Sequence, residues 1–135
     1  LTAVVDHLEI VDACTKFHWF YDRKQWDDLG ALLDEVVAMP TVEEVGDNVE
    51  GYLERYHRTR ADVTAGLRLF ADGLVTQHLV AGHQVTITGD TAVCIAQGIN
   101  VHLRDEDRTA PPLWHGNTYR FDLVRRPEGW RIAGM

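Results

Sequence analysis

Seven histidines are spread through 135 residues, and two of them, His78 and His102, fall on stretches that alternate like β-strands. An imidazole with an ordinary pKa of about 6.5 can take up and return a proton near neutral pH. A carboxylate beside it would hold one tautomer. Asp22, which follows Tyr21 at the end of the first apolar-periodic segment, is the candidate for that carboxylate. These four residues suit proton abstraction next to a carbonyl. One histidine takes the proton and returns it to a leaving or rearranging oxygen, Asp22 orients the ring, and Tyr21 donates a hydrogen bond to the developing enolate. On this reading His102→Ala abolishes turnover while the domain stays folded. Two plainer readings stand beside it. The same groups could be a structural triad that satisfies buried polar atoms. They could also be a two-histidine, one-carboxylate metal site, although no local His-x-His spacing supports one. His18, His57, His83 and His115 read as surface or partly buried residues, and His7 as solvent-facing. There is no Gly-rich phosphate loop, nucleophile elbow or Cys-x-x-Cys, which argues against nucleotide, acyl-enzyme and zinc-finger chemistry, and no metal is expected.

The elements that must position these groups follow from hydrophobic period and turn signals. Gly73 to Leu103 reads as three consecutive strands, with Ala81-Gly82 as a bulge or turn and Gly89-Asp90 as a tight hairpin. From Ala92 onward one parity carries Ala92, Cys94, Ala96, Gly98, Asn100 and His102; the other carries Val93, Ile95, Gln97, Ile99, Val101 and Leu103. Successive side chains on a strand face opposite ways. The small-residue face therefore either leaves a cavity with Asn100 and His102 at its polar end or accommodates a closely packed helix. Cys94, Gly98 and Asn100 are accordingly candidate ligand-binding residues, with Phe17 and Trp26 as candidate pocket wall; Trp19, Trp114 and Trp130 serve as core or wall.

Upstream, Val4, Leu8, Val11, Thr15, His18 and Tyr21 or Asp22 recur at helical spacing, which aims the face ending in His18, Tyr21 and Asp22 at the core. A short second helix begins near Gln25 or Trp26 and buries Leu29, Leu32 and Leu33, Asp34 begins its exit, and Val36 to Met39 suits a short strand stopped by Pro40. Thr41-Val42-Glu43-Glu44 has capping-box spacing, and a helix is expected over Asn48 to Arg58. Arg60 to Asp72 reads either as a further turn of helix or as a pocket-covering loop. Arg104 to Pro112 is a surface loop, Trp114 to Arg126 a long strand, Pro127-Glu128-Gly129 a turn and Trp130 to Met135 a closing strand. Helices first and an antiparallel meander after them make a single α+β domain over residues 1–135.

Composition narrows the partners. A formal charge of −8 is opposed to phosphate tracking, and Arg55, Arg58, Arg60 and Arg68 are diluted by Glu50, Glu54 and Asp62, so nucleic acid is not expected. No apolar run approaches a transmembrane span and no signal-peptide pattern is seen, which points to a cytoplasmic protein with no membrane partner. Cys14 and Cys94 are expected as free thiols in that reducing setting rather than as a disulfide.

Tyr21-Asp22 followed by Trp26-Asp27, then Gln77-His78-Leu79, Gly89-Asp90 and finally Gly129-Trp130-Arg131-Ile132 resembles the SnoaL-like branch of the nuclear transport factor 2-like superfamily. The resemblance covers essentially the whole chain. It implies a cone of helices on a strongly curved, mostly antiparallel sheet, a deep apolar pocket, and homo-oligomers, commonly dimers, formed through the outer sheet face. Within that superfamily the chain is most similar to scytalone dehydratases: the adjacent Tyr21-Asp22 pair, the two pocket histidines at His78 and His102, and the terminal WRIAGM. That likeness implies cofactor-free elimination of water from a polyketide-derived ring. The family's catalytic tyrosine after the second helix has no counterpart, its position falling at about Thr41. Its late-strand Ser and Asn fall near Thr118 and Arg120, which brings Thr118 into the candidate binding set. Three functions are thus weighed: a cofactor-independent lyase, isomerase or cyclase acting on an apolar carbonyl compound; a binding module with the same pocket; and a structural subunit resembling the β subunits of ring-hydroxylating dioxygenases. The first requires Asp22, His78 and His102 to converge in a cavity, the second a cavity without that convergence, the third a filled cone and an exposed apolar patch.

Overall fold

A computed structural model describes residues 1–39 and 57–135. The chain opens with α1 (Thr2–Asp22) and α2 (Trp26–Leu32), continues through β1 (Leu33–Ala38) and β2 (His57–Thr59), and adds α3 (Arg60–Phe70). It ends in four strands: β3 (Leu74–Thr88), β4 (Thr91–Arg104), β5 (Leu113–Arg126) and β6 (Gly129–Gly134). They form one sheet in the order β2-β1-β6-β5-β4-β3, in which only the β1–β6 pair is parallel. The sheet is curved and unclosed, and the helices cover its concave side, as the α+β cone requires.

The face α1 buries differs from the expected one over its first half. Asp6, Ile10, Ala13, Cys14, Phe17, His18 and Tyr21 are inward, whereas Val4, Leu8 and Thr15 are exposed. The reason is Asp6. Its carboxylate accepts two bonds from Arg125 (2.6 and 2.8 Å) and one from the Trp130 indole (3.1 Å). An inward charge with its own partners breaks the apolar count on which a periodicity reading relies. A second bidentate pair, Arg126 to Asp34 (3.0 and 2.7 Å), fixes the start of β1, so Leu33 and Asp34 belong to the strand rather than to the helix exit.

Arg60–Phe70 is a helix, capped by Thr59, whose hydroxyl accepts from the Asp62 amide at 3.1 Å. The helix expected over Asn48 to Arg58 lies largely outside the described residues; its last two, His57 and Arg58, are strand residues paired with Ala38 and Val37. The stretch expected as three strands before Leu103 is two long ones. Gly82, at φ +68°, forms a bulge in β3 instead of a turn, and the Gly89-Asp90 hairpin has Gly89 at φ +60°. Ile10, Leu29, Leu33, Phe121 and Ile132 centre the core, none more than 1% exposed.

Candidate active site

Asp22 is the last residue of α1, where the helix dipole disfavours a negative charge. Three donors compensate. Thr76 Oγ1 and His78 Nδ1 donate to Oδ1 at 2.8 and 2.6 Å, and the His78 backbone N–H donates to Oδ2 at 2.8 Å. That amide is available because β3 is an edge strand: its hydrogen-bonded neighbour is β4 alone, leaving one row of N–H groups without a strand partner. Burial works to raise the Asp22 pKa, but the bonds from His78 and Thr76 outweigh it and hold the carboxyl below its ordinary value. An ionised Asp22 accepts only, so His78 Nδ1 carries the proton and Nε2 carries the lone pair. Side chains of both residues are nearly buried, at 9% exposure for His78 and 14% for Asp22.

His78 lies on the wall of a cavity of about 580 Å³ between α1, α3 and β5. Phe17, Val63, Leu67, Phe70, Phe121 and Met135 make its wall mostly apolar, and His18, Tyr21 and Tyr119 together with the charged Arg58, Asp62 and Arg120 supply polar atoms. Of the two alternatives left open for the Arg60–Phe70 segment, it is the helix and not the loop, and the helix lines the pocket. Tyr21 stands edge-on to His78 with ring centres 5.3 Å apart, and burial followed by the Asp22 charge pushes its pKa up to about 12, so it keeps its proton to donate.

Other expected residues sit elsewhere. Phe17 and Thr118 line the cavity. Trp26 does not: it packs edge-on behind Tyr21 (5.7 Å) and borders an outer groove against α3. Cys94 and Gly98 are packed beneath other groups rather than facing open space. Cys94 is fully buried against Cys14 of α1, both thiols being free, and their hydrogen bond together with burial pushes the Cys14 thiol up. A Cβ on Gly98 would meet Tyr119 Cε2 at 2.7 Å. The small face of β4 is therefore a bed for α1 and for the Tyr119 ring, and the volume it seemed to leave lies instead between α1, α3 and β5. Asn100 is buried behind Tyr119 and donates its amide to that hydroxyl, as Asn117 does at 3.3 Å.

His102 is the main departure. It faces the same side as His78, with ring centres 5.8 Å apart, but it does not line the cavity and packs edge-on against His115 at 4.7 Å. Burial, then the neighbouring His115 and His78, lower its pKa. One residue, Val101, separates the parity partners Asn100 and His102 on β4, and the ring of His102 meets His115 instead of the cavity. Asp22, His78 and His102 accordingly do not close as metal ligands, and no other such group of three converges among the described residues.

In place of His102 the fold brings His18, expected at the surface or only partly buried. It is 4% exposed, lies 5.4 Å from His78 and 4.4 Å from Tyr119 between ring centres, and lines the cavity. The signal was present: His18 is one turn before Asp22 on the face already aimed inward. Tyr119 was legible too, sharing parity with Phe121 and Leu123 on β5.

A SnoaL-like domain profile matches residues 2–135. This chain belongs to the SnoaL-like family. Solved relatives bear out the architecture. A protein of Kribbella flavida superposes with a TM-score of 0.79 at 23% identity, over 98% of this chain and 88% of that one. A candidate dehydratase of the NTF2-like family from Streptomyces avermitilis gives 0.73 at 18%, over 96% and 93%. A candidate scytalone dehydratase from Novosphingobium aromaticivorans gives 0.74 at 15%, over 98% and 83%. At these identities the likeness carries the SnoaL-like fold and no specific activity. No curated protein matches the chain.

Proposed function

We propose that this SnoaL-like protein is a cofactor-independent lyase or isomerase acting on an apolar, carbonyl-bearing small molecule such as a polyketide. The observation that carries the reading is the Asp22–His78 pair: a carboxylate held by three donors, bonded at 2.6 Å to the histidine that lines an apolar cavity. His78 Nε2 takes a proton from the carbon α to the carbonyl, and the C–H electrons pass through the carbonyl carbon to its oxygen, forming an enolate to which Tyr21 donates a hydrogen bond. In an elimination the electrons return, the β C–O bond breaks, and the proton on His78 leaves with that oxygen as water. In an isomerisation the proton returns to a different carbon. Asp22 stays ionised throughout and stabilises the imidazolium.

The test is exchange of the α protons of 1-tetralone in deuterated buffer, followed by NMR. The protein is expected to accelerate exchange, and His78→Phe and Asp22→Asn to lower the rate by about 10²- to 10⁴-fold. His102→Ala is expected to keep most of the rate, reversing the expectation from sequence, because that ring is off the cavity wall. Exchange no faster than in buffer would leave a binding module without turnover. The outer sheet face exposes Leu79, Ile95, Ile99 and Trp114, which supports pairing of two copies through that face.

A further inference from the structure

We propose that Thr76 is a positioning residue for the reaction: by donating its hydroxyl to Asp22 it sets the carboxylate so that His78 presents Nε2 for proton abstraction. This rests on the Asp22–His78 pair being the base described above. Thr76 does not itself line the cavity, so its effect passes through Asp22.

Asp22 divides its two oxygens between different donors. Oδ2 takes the His78 backbone N–H at 2.8 Å, which ties the end of α1 to the edge of β3 but leaves the carboxyl free to turn about that bond. Oδ1 takes two side chains, Thr76 Oγ1 at 2.8 Å and His78 Nδ1 at 2.6 Å. With the imidazole as the only side-chain donor, ring and carboxyl could swing together. A second donor on the same oxygen, held by a different residue, removes that freedom, and the direction of Nε2 follows from it. Thr76 stands where it can do this. It lies two residues before His78, so both side chains leave β3 on the same face. Its β-branched side chain has little χ1 freedom on a strand, which keeps the half-buried hydroxyl aimed at its acceptor.

The same bond bears on charge. Burial works to raise the pKa of Asp22, and the bonds from His78 and then Thr76 bring it below its ordinary value. The other titratable groups that act on this carboxylate are Tyr21 and His18 of α1 and His102 of β4. Removing the Thr76 hydroxyl withdraws one of three donors, so the carboxylate takes up a proton at higher pH. A protonated Asp22 can itself donate, and the tautomer of His78 is then no longer fixed.

The experiment compares wild type, Thr76→Val and Thr76→Ser, with 1-tetralone as the probe. Thr76→Val keeps the branched shape without the donor, and Thr76→Ser keeps the donor. In Thr76→Val, α exchange at neutral pH is expected to fall about tenfold while the Kd for 1-tetralone stays within about twofold. Its loss of rate in acid is expected to begin at higher pH than in wild type. Thr76→Ser is expected to recover the wild-type rate to within about threefold. A full rate in Thr76→Val, an equal fall at every pH, or a fall only in step with affinity would overturn the positioning role. A readout that needs no variant is proton NMR of the wild type. The Thr76 hydroxyl proton and the His78 Nδ1 proton converge on one oxygen, and a nuclear Overhauser effect between them is expected. No such effect, or a hydroxyl proton exchanging too fast to be seen, would overturn the proposal whether or not Thr76→Val folds. The catalytic reading fails separately, on wild-type α exchange no faster than in buffer with the Overhauser effect present; accelerated exchange without that effect sinks Thr76 alone.

Discussion

Two histidines one ring apart are held by different partners. His78 is bonded to an ionised carboxylate, whereas His18 is bonded to a carbonyl and set in an apolar wall that resists a proton. The difference has a consequence for stability. In the unfolded chain His18 binds its proton near 6.5, and in the folded chain only near 4. Between those values unfolding takes up a proton, so this contribution is full above pH 6.5 and drains away as pH falls through 4. The melting temperature of wild type is therefore expected to fall more steeply from pH 6.5 to pH 4 than that of His18→Phe. Parallel curves would mean that the ring is already protonated in the folded protein. Asp22 has the carboxylate counterpart of this behaviour: its lowered pKa stabilises the fold above the ordinary carboxylate range and is lost only in stronger acid.

Among the elements, β4 decides where the cavity can be. Ala92, Cys94 and Ala96 are all 4% exposed or less, and Gly98 continues the same face beneath the Tyr119 ring. The strand's small residues serve close approach, and the larger groups of α1 and β5 occupy the space they leave. Gly98→Ala tests this directly. The added methyl meets an aromatic ring already tied by Asn100 and Asn117, so it is expected to cost about 1–3 kcal/mol in urea denaturation and to weaken tetralone binding through displacement of Tyr119. An unchanged midpoint would show that the ring moves aside freely. At the other end of the fold, Asp6 and Asp34 show why charged residues inside a helix or strand defeat a reading by period: each is paired bidentately with an arginine from the far end of β5. Those pairings join residues more than ninety positions apart, and nothing local announces them.

At the scale of the molecule, the sheet has two faces with different duties. The concave face holds the core and the cavity; the convex face carries Leu79, Ile95, Ile99 and Trp114 at 40% exposure or more. Pairing of two copies through that face would remove this apolar surface from water without touching the cavity. Ile99→Lys, placed at its middle by the pairing of Ile99 with Leu79 and Gly116, is expected to shift a dimer to a monomer in sedimentation velocity while leaving α exchange intact. A wild type already monomeric at micromolar concentration would refute the pairing. Among the described residues no helix is long and apolar enough to cross a membrane.

The hairpin at Gly89-Asp90 and the inward end of α1 were legible in the chain, because each depends on local period or turn chemistry; Asp22 was offered to either His78 or His102, and the choice of His78 belongs to the fold. Which face of β4 is open, that His102 stops short of the wall, and that His18 and Tyr119 complete it were decided only by tertiary packing. Parity assigns a residue to one side of a strand, but whether that side meets a helix, a ring or a cavity depends on side-chain volumes contributed by elements far away in sequence.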